Sequence, residues 1–291
     1  MVIVKYGYLV VEGPHDIEFV GRLLKEVHKL KRIVKIDKLN SYWTDSPIIP
    51  KIFPPNGDLM KRMPVPAFFQ NDGLSVAVHS ATGDSQIITT LEGTLSNINL
   101  SEDAVGIGIV IDADYEKGEG IGRFNSIKQD VEELEMPDKP GEILKGHPNT
   151  GIFVFPDNIN DGTLETVLLK CAKAIYPKLR QGAETFINGV DIDSLASKDK
   201  QDFKKPSGRD KATTGCIGDV TLALALYLAL ALALASCSFS CFLLFIERMR
   251  QDKVKSKIKS KIKSKIKSKS KIKSKIMNAM NQFLKKLFDL P

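Results

Sequence analysis

Val105-Gly-Ile-Gly-Ile-Val-Ile-Asp-Ala-Asp114 is the stretch on which the fold of this chain turns. Its first seven residues are small or branched and apolar, with no polar alternation. It therefore reads as a strand buried on both faces, not as one with a solvated side. It ends in Asp112-Ala113-Asp114, two carboxylates placed where the backbone leaves the sheet. Three other runs share this character: residues 5–11 (KYGYLVV), 74–80 (LSVAVHS) and 150–156 (TGIFVFP). Helical patterns alternate with them. Asp16 can cap a helix carrying Ile17, Val20, Leu23, Leu24 and Val27. A second helix opens at Gly83-Asp84-Ser85, a third covers 123–135, and a fourth begins near Thr163. Strands of this kind separated by helices predict an α/β fold, a four-stranded parallel sheet with helices on both faces.

Outward from that frame the chain changes texture. Residues 31–73 are rich in Pro, Asn and Asp and read as an insertion of turns and short extended pieces after the first helix. Residues 1–176 then form the main domain, and 177–219 a basic helix and loop extension. Segment 220–246 is apolar and of low complexity, with Leu at every even position from 222 to 234. Segment 247–276 is a Lys-rich repeat, with Lys at every odd position from 253 to 275. Residues 277–291 (MNAMNQFLKKLFDLP) read as a terminal helix. Two period-2 tracts side by side match the translation of short tandem DNA repeats better than a packed domain.

Charge follows the same division. Of 42 Lys and Arg against 35 Asp and Glu, 16 basic and 3 acidic residues lie after residue 246. The body before that point is acidic, so the net +7 belongs to the tail and does not mark the body as a polyanion binder. At 291 residues and 43% hydrophobic the chain can bury a real core, and its composition excludes collagen, a disulfide scaffold and wholesale disorder. The opening MVIVKYGYLVVEG, interrupted by Lys5, is no signal peptide, which makes a cytoplasmic protein the expectation.

Parallel α/β sheets hold their ligands at the carboxyl ends of the strands. There this chain puts Glu12 after the first strand, Asp112 and Asp114 after the third and Asp157 after the fourth, with Glu165 opening the next helix. Clustered carboxylates repel unless neutralised, and a hard divalent cation such as Mg²⁺ or Mn²⁺ is their natural partner. Gly118-x-Gly120-x-Gly122 lacks the strand–glycine–helix context of a nucleotide loop and reads as a flexible turn beside the carboxylates. His15 and His79 read as structural, and Asp157 and Asp161 as outer carboxylates.

Glu12-Gly13-x-x-Asp16, Asp112-x-Asp114 and Thr163-Leu164-Glu165, in that order on strand ends, resemble the Toprim domain. That domain is shared by topoisomerases, DnaG-type primases, RecR recombination proteins and OLD-family nucleases. Order and spacing are most similar to short stand-alone Toprim-like proteins of unknown function, related to the OLD nucleases, over residues 4–215. The resemblance implies a Rossmann-like sheet and Mg-dependent phosphodiester chemistry on nucleic acid, most closely that of an OLD-like nuclease. It implies Glu12 as metal ligand or general acid/base, Asp112 and Asp114 as metal ligands, and Asp16 and Glu165 as completing a second metal site. It also implies a lysine beyond the sheet that stabilises charge on the phosphate, for which Lys211 in GRDKATTG is the nearest candidate. An ATPase partner follows by analogy, although the chain has no G-x-x-x-x-G-K-[ST] motif. The alternative is a noncatalytic Toprim-like module that binds metal, nucleic acid or protein. The uncharged run 220–246 has the length of a membrane span, but a span would export an acidic body without a signal, so a membrane anchor is disfavoured.

Overall fold

The computed structural model describes residues 4–49, 65–96, 103–115, 119–205, 207–218 and 279–288. The apolar run 220–246 and the lysine repeat lie outside the described residues. Two compact units are present: residues 1–164 together with 277–291, and residues 165–276.

The first unit is built on one mixed sheet of seven strands. They are β1 (Lys5–Val11), β2 (Lys31–Ile33), β3 (Ala67–Gln70), β4 (Leu74–Ser80), β5 (Ala104–Asp112), β6 (Ile143–Leu144) and β7 (Asn149–Phe155), in the order β2-β3-β4-β1-β5-β7-β6. The four parallel strands read from the sequence form its centre, β4-β1-β5-β7, with each neighbouring pair parallel. The sheet is larger than four strands because β3 and β2 add antiparallel beyond β4, and β6 adds antiparallel beyond β7. These edge strands of two to four residues are too short to carry a period, which is why the residues of β2 and β3 read as part of an insertion. That insertion is structural in its own right. Trp43, on the short α2 (Ser41–Thr44), is fully buried and its indole N–H donates to Ser75 Oγ at 2.9 Å.

Nine helices are found among the described residues, and those of the first unit cover both faces of the sheet. On one face α3 (Ile87–Leu95) and α4 (Glu119–Asp130) bring Ile87, Leu91, Phe124 and Ile127 onto Tyr8, Val10, Ile107, Ile109 and Ile152. On the other, α1 (Pro14–Glu26) lays Phe19 edge-on to Phe155, with ring centroids 5.4 Å apart. The last helix of the chain, α9 (279–287), shares that face. Met280, Phe283, Leu284, Leu287 and Phe288 recur at helical spacing and are all buried.

The floor beneath α9 is glycine. Gly7, Gly106, Gly108 and Gly151 leave no room for a Cβ, since one added there would overlap Phe288, the Leu287 carbonyl oxygen, the Leu287 side chain and Phe283 respectively. Asn149 Nδ2 then donates to that same Leu287 oxygen at 3.2 Å. The helix thus meets the sheet at backbone distance.

Among its described residues the second unit is mainly helical. It contains α5 (Leu164–Ile175, from its second residue), α6 (Pro177–Asn188), α7 (Ser197–Lys204) and α8 (208–218) around Leu169, Ala172, Ala183 and Ile217. Residues that read as loop-rich therefore supply two further helices, α7 and α8.

Candidate functional site

The central order β4-β1-β5-β7 reverses direction between β1 and β5, so the crevice at their carboxyl ends is the topological switch point where open α/β sheets hold ligands. The sequence puts Glu12 directly after β1, and Asp112 and Asp114 at the end of β5. The Glu12 carboxylate reaches across to the neighbouring strand, where the Asp112 N–H donates to Glu12 Oε2 at 3.5 Å, the outer limit of a hydrogen bond.

Asp16 enters from α1. Its N-cap is Gly13, and Asp16, at the third helical position, accepts the Gly13 N–H at 2.8 Å as one arm of a capping box. Asp16 is thus the reciprocal partner of the cap, not the cap residue itself. Asp112 is likewise engaged, its Oδ1 accepting the Leu164 N–H at 2.8 Å in a buried bond at the start of α5. Asp114 stands at φ 57°, in the left-handed region. Paired backbone bonds hold it there: its N–H donates to Gly162 at 3.1 Å and its carbonyl accepts from Gly162 at 3.2 Å. Asp tolerates this region better than most residues, and backbone held in it clusters at functional sites.

The electrostatics of this edge centre on Glu12. The Glu12 carboxyl is held above its ordinary range, first by burial and then by the negative charges of Asp114 and Asp16. The Asp112 N–H and the guanidinium of Arg123 pull the other way. Arg123, on α4, is only 3% exposed and ion-pairs with Asp84, on the turn that follows β4.

Four of the six residues expected to act at the site therefore share one edge of the first unit: Glu12, Asp16, Asp112 and Asp114. Glu165 is buried in the first turn of α5 and Lys211 is exposed on α8, both within the second unit. The glycine-rich segment is not simply a turn, because Glu119 through Gly122 form the first turn of α4. Gly120 packs there with space for a Cβ only 3.0 Å from the Asn158 backbone. Asp157 folds back on its own turn, accepting the Asn160 N–H at 2.9 Å. His79 is part of the core, where the Tyr8 hydroxyl bridges its Nδ1 and Thr94 Oγ1 at 2.8 Å each.

Arg123 was not among the residues expected from sequence. A signal for it exists, because it falls on the buried stripe of α4 with Gly120, Phe124 and Ile127, where a charge is out of pattern.

An all-carboxylate donor set has the chemistry of a hard divalent cation, and the crowding that raises Glu12 is the strain such a cation relieves. Among the described residues no three His, Cys, Asp or Glu side chains form a ready-made metal cage. No helix among them is long and apolar enough to cross a membrane.

An α/β protein with a mixed sheet and acidic residues at its switch point is the class these features define. The chain belongs to the DUF3226 family, described as protein of unknown function, whose model matches residues 6–217. No curated protein matches it. Among solved structures it is similar to a hypothetical protein from Pyrococcus horikoshii OT3, at 17% identity and a TM-score of 0.42, over 84% of this chain and 99% of that one.

Proposed function

We propose that this protein is a cytoplasmic Toprim-type enzyme of OLD-like nuclease character that cleaves phosphodiester bonds in nucleic acid with Mg²⁺ or Mn²⁺. One observation carries the reading. At the switch point the Asp112 N–H reaches the Glu12 carboxylate at 3.5 Å and Asp16 accepts the N–H of Gly13, next to Glu12, and the charges of Asp114 and Asp16 add to burial in raising the Glu12 pKa. Surface acids that merely cap helices have no cause to converge in this way. Glu12, Asp112 and Asp114 would hold the ion, with Asp16 beside them. When bound, the ion would polarise the phosphate and lower the pKa of an attacking water. The chain's own contribution is positional. The paired bonds to Gly162 set the Asp114 backbone, and the Leu164 N–H fixes one oxygen of Asp112. A Glu12 carboxylate oxygen not used to hold the ion would accept the proton of the attacking water. A noncatalytic module that binds metal and nucleic acid through the same edge is the second reading, supported by the backbone duties that Asp16 and Asp112 already perform.

Nicking of supercoiled plasmid in the presence of Mn²⁺ tests the proposal. Wild type should nick, and Asp112→Ala should lose at least about 100-fold in rate, the scale on which metal-ligand shells matter. Asp112→Asn, which keeps an acceptor for the Leu164 N–H, controls for the fold and should be comparably inactive. A folded wild type that shows no metal-dependent cleavage favours the binding module.

A further inference from the structure

The sheet holds α9 in a seat cut to that helix. A Cβ added at Gly7 would have only Phe288 atoms as its three nearest neighbours, and one at Gly106 only atoms of Leu287 and Phe288. These two glycines therefore make room for α9 and not for the rest of the core. The seat also closes the end of the helix. The last carbonyls of a helix have no partner within it. Here Asn149 Nδ2 donates to the Leu287 oxygen at 3.2 Å and Lys145 Nζ to the Lys286 oxygen at 3.3 Å. Lys145 also brings a positive charge to the negative end of the helix dipole. Each of these contacts is made by the terminal segment itself with the sheet of the first unit.

The covalent connection to α9 is long. Residues 219–278 separate it from the end of α8. A chain of that length can reach up to roughly 200 Å, several times the width of a folded unit. Covalent continuity thus does not decide whose seat α9 fills. The α9 of a second copy would make the same contacts and bury the same five apolar residues. Exchange then costs only the entropy of association, which rising concentration offsets.

We propose that the glycine-floored seat on β1, β5 and β7 is a docking site for a second copy of this chain, whose α9 occupies it in a reciprocally exchanged dimer. The closed monomer and the exchanged dimer share one set of contacts, so concentration sets the balance between them. This docking is independent of the chemistry at the acidic edge.

Two measurements on the full chain test it. In the first, wild type is unfolded in urea, refolded at about 1 mM, the order of effective concentration that tethering supplies, and sized by light scattering. A dimer fraction should form that is absent after refolding at about 100-fold lower concentration. Gly7→Val, which meets only the Phe288 ring, should lose that fraction. Wild type that stays monomeric at the higher concentration overturns the proposal, and so does a dimer that Gly7→Val retains.

The second measurement mixes two full-length variants, each disabled on one side and carrying its own affinity tag. Gly106→Val blocks the seat and keeps α9. Phe283→Ala keeps the seat and strips α9 of its contact with Phe153. Refolded together, they should give at least about 10-fold more cross-captured chain than either variant gives with its own kind. Equal capture in all three cases overturns the exchange and leaves α9 a helix that docks only in its own chain. Capture that persists when one partner carries both substitutions, and the other is Phe283→Ala, places the contact elsewhere and overturns it too. Should either variant fail to fold alone, a melting transition recovered only in the mixture supports the exchange. Where the mixture stays unfolded, the wild-type measurement decides.

Discussion

β1 and β5 serve two regions of the molecule in opposite ways. At their carboxyl ends they gather Glu12, Asp112 and Asp114, with Asp16 alongside, and the crowding lifts Glu12 above its ordinary pKa. In their middles, on the face under α9, they carry Gly7, Gly106 and Gly108 and admit a helix at backbone contact. One region concentrates like charge and works against the folded state. The other removes apolar surface and favours it. The same strands can do both because the two jobs fall at different heights along the sheet, and open α/β sheets hold their ligands at the carboxyl ends of the strands. The difference teaches that the stability of this protein should be sought under α9 and its chemistry at the acidic edge. Substitutions in the two regions should then differ in sign.

The largest effect is expected under α9. Phe283 is 1% exposed and tilts against Phe153 with ring centroids 5.6 Å apart, so Phe283→Ala should cost about 3–5 kcal/mol in denaturant unfolding. Gly106→Val should be of similar severity, because the atom it meets is the Leu287 backbone oxygen and no rotamer moves that aside. A loss below about 1 kcal/mol for Phe283→Ala would mean that α9 decorates the sheet and does not complete the core, and the contrast between the two regions would collapse.

At the acidic edge the expected sign reverses. Glu12 holds its proton more tightly in the folded protein than in the unfolded chain, because of burial and the charges of Asp114 and Asp16. Its contribution to stability is therefore greatest on the acid side and is lost as pH rises from the ordinary carboxylate range through the raised value. Glu12→Gln removes that loss. Without added metal it should melt at a higher temperature than wild type at pH 7.5, with the advantage gone near pH 4, where the wild-type carboxyl is protonated. Wild type melting above Glu12→Gln at neutral pH would mean that the edge stabilises the fold after all.

How much of this could be read from sequence depends on how far each feature imposes itself on its neighbours. The four central strands were legible because strands buried on both faces become nearly continuous apolar runs, as VGIGIVI does. The placement of Glu12, Asp112 and Asp114 at the carboxyl ends of β1 and β5 was legible because each stands at or just after the end of such a run. β2, β3 and β6 were not, since KRI, AFFQ and IL are shorter than any period. Arg123 escaped because one charge on a helix is ordinary until the buried side of that helix is known. The terminal helix showed itself as an amphipathic segment, but its seat did not. Gly7, Gly106, Gly108 and Gly151 lie in three different strands and make a floor only once β1, β5 and β7 stand side by side. A pattern assembled across the sheet leaves no trace along the chain.

The smallest effect sharpens the comparison from the side of α9. His28, just beyond the end of α1, is half-buried, and its pKa is lowered, chiefly by burial and also by the charge of Lys285 on α9, with Asn281 acting in the opposite direction. The neutral imidazole is thus the form the fold prefers. The unfolded chain takes up a proton first as pH falls below about 6.5, so the contribution of His28 is fully present above that pH and drains away below it. Solvent around a half-exposed ring screens the effect, which should stay well under about 1 kcal/mol. Lys285→Met should raise the His28 midpoint in a proton NMR titration and flatten the melting temperature between pH 5.5 and 7. An unmoved midpoint would mean that α9 does not act on His28. The two regions then differ in sign a second time: acidification favours the fold at Glu12 and disfavours it at His28. A double variant, Glu12→Gln with His28→Gln, should therefore have a flatter stability profile between pH 4 and 7 than either single variant, because the opposing slopes come from separate ends of the same sheet and add.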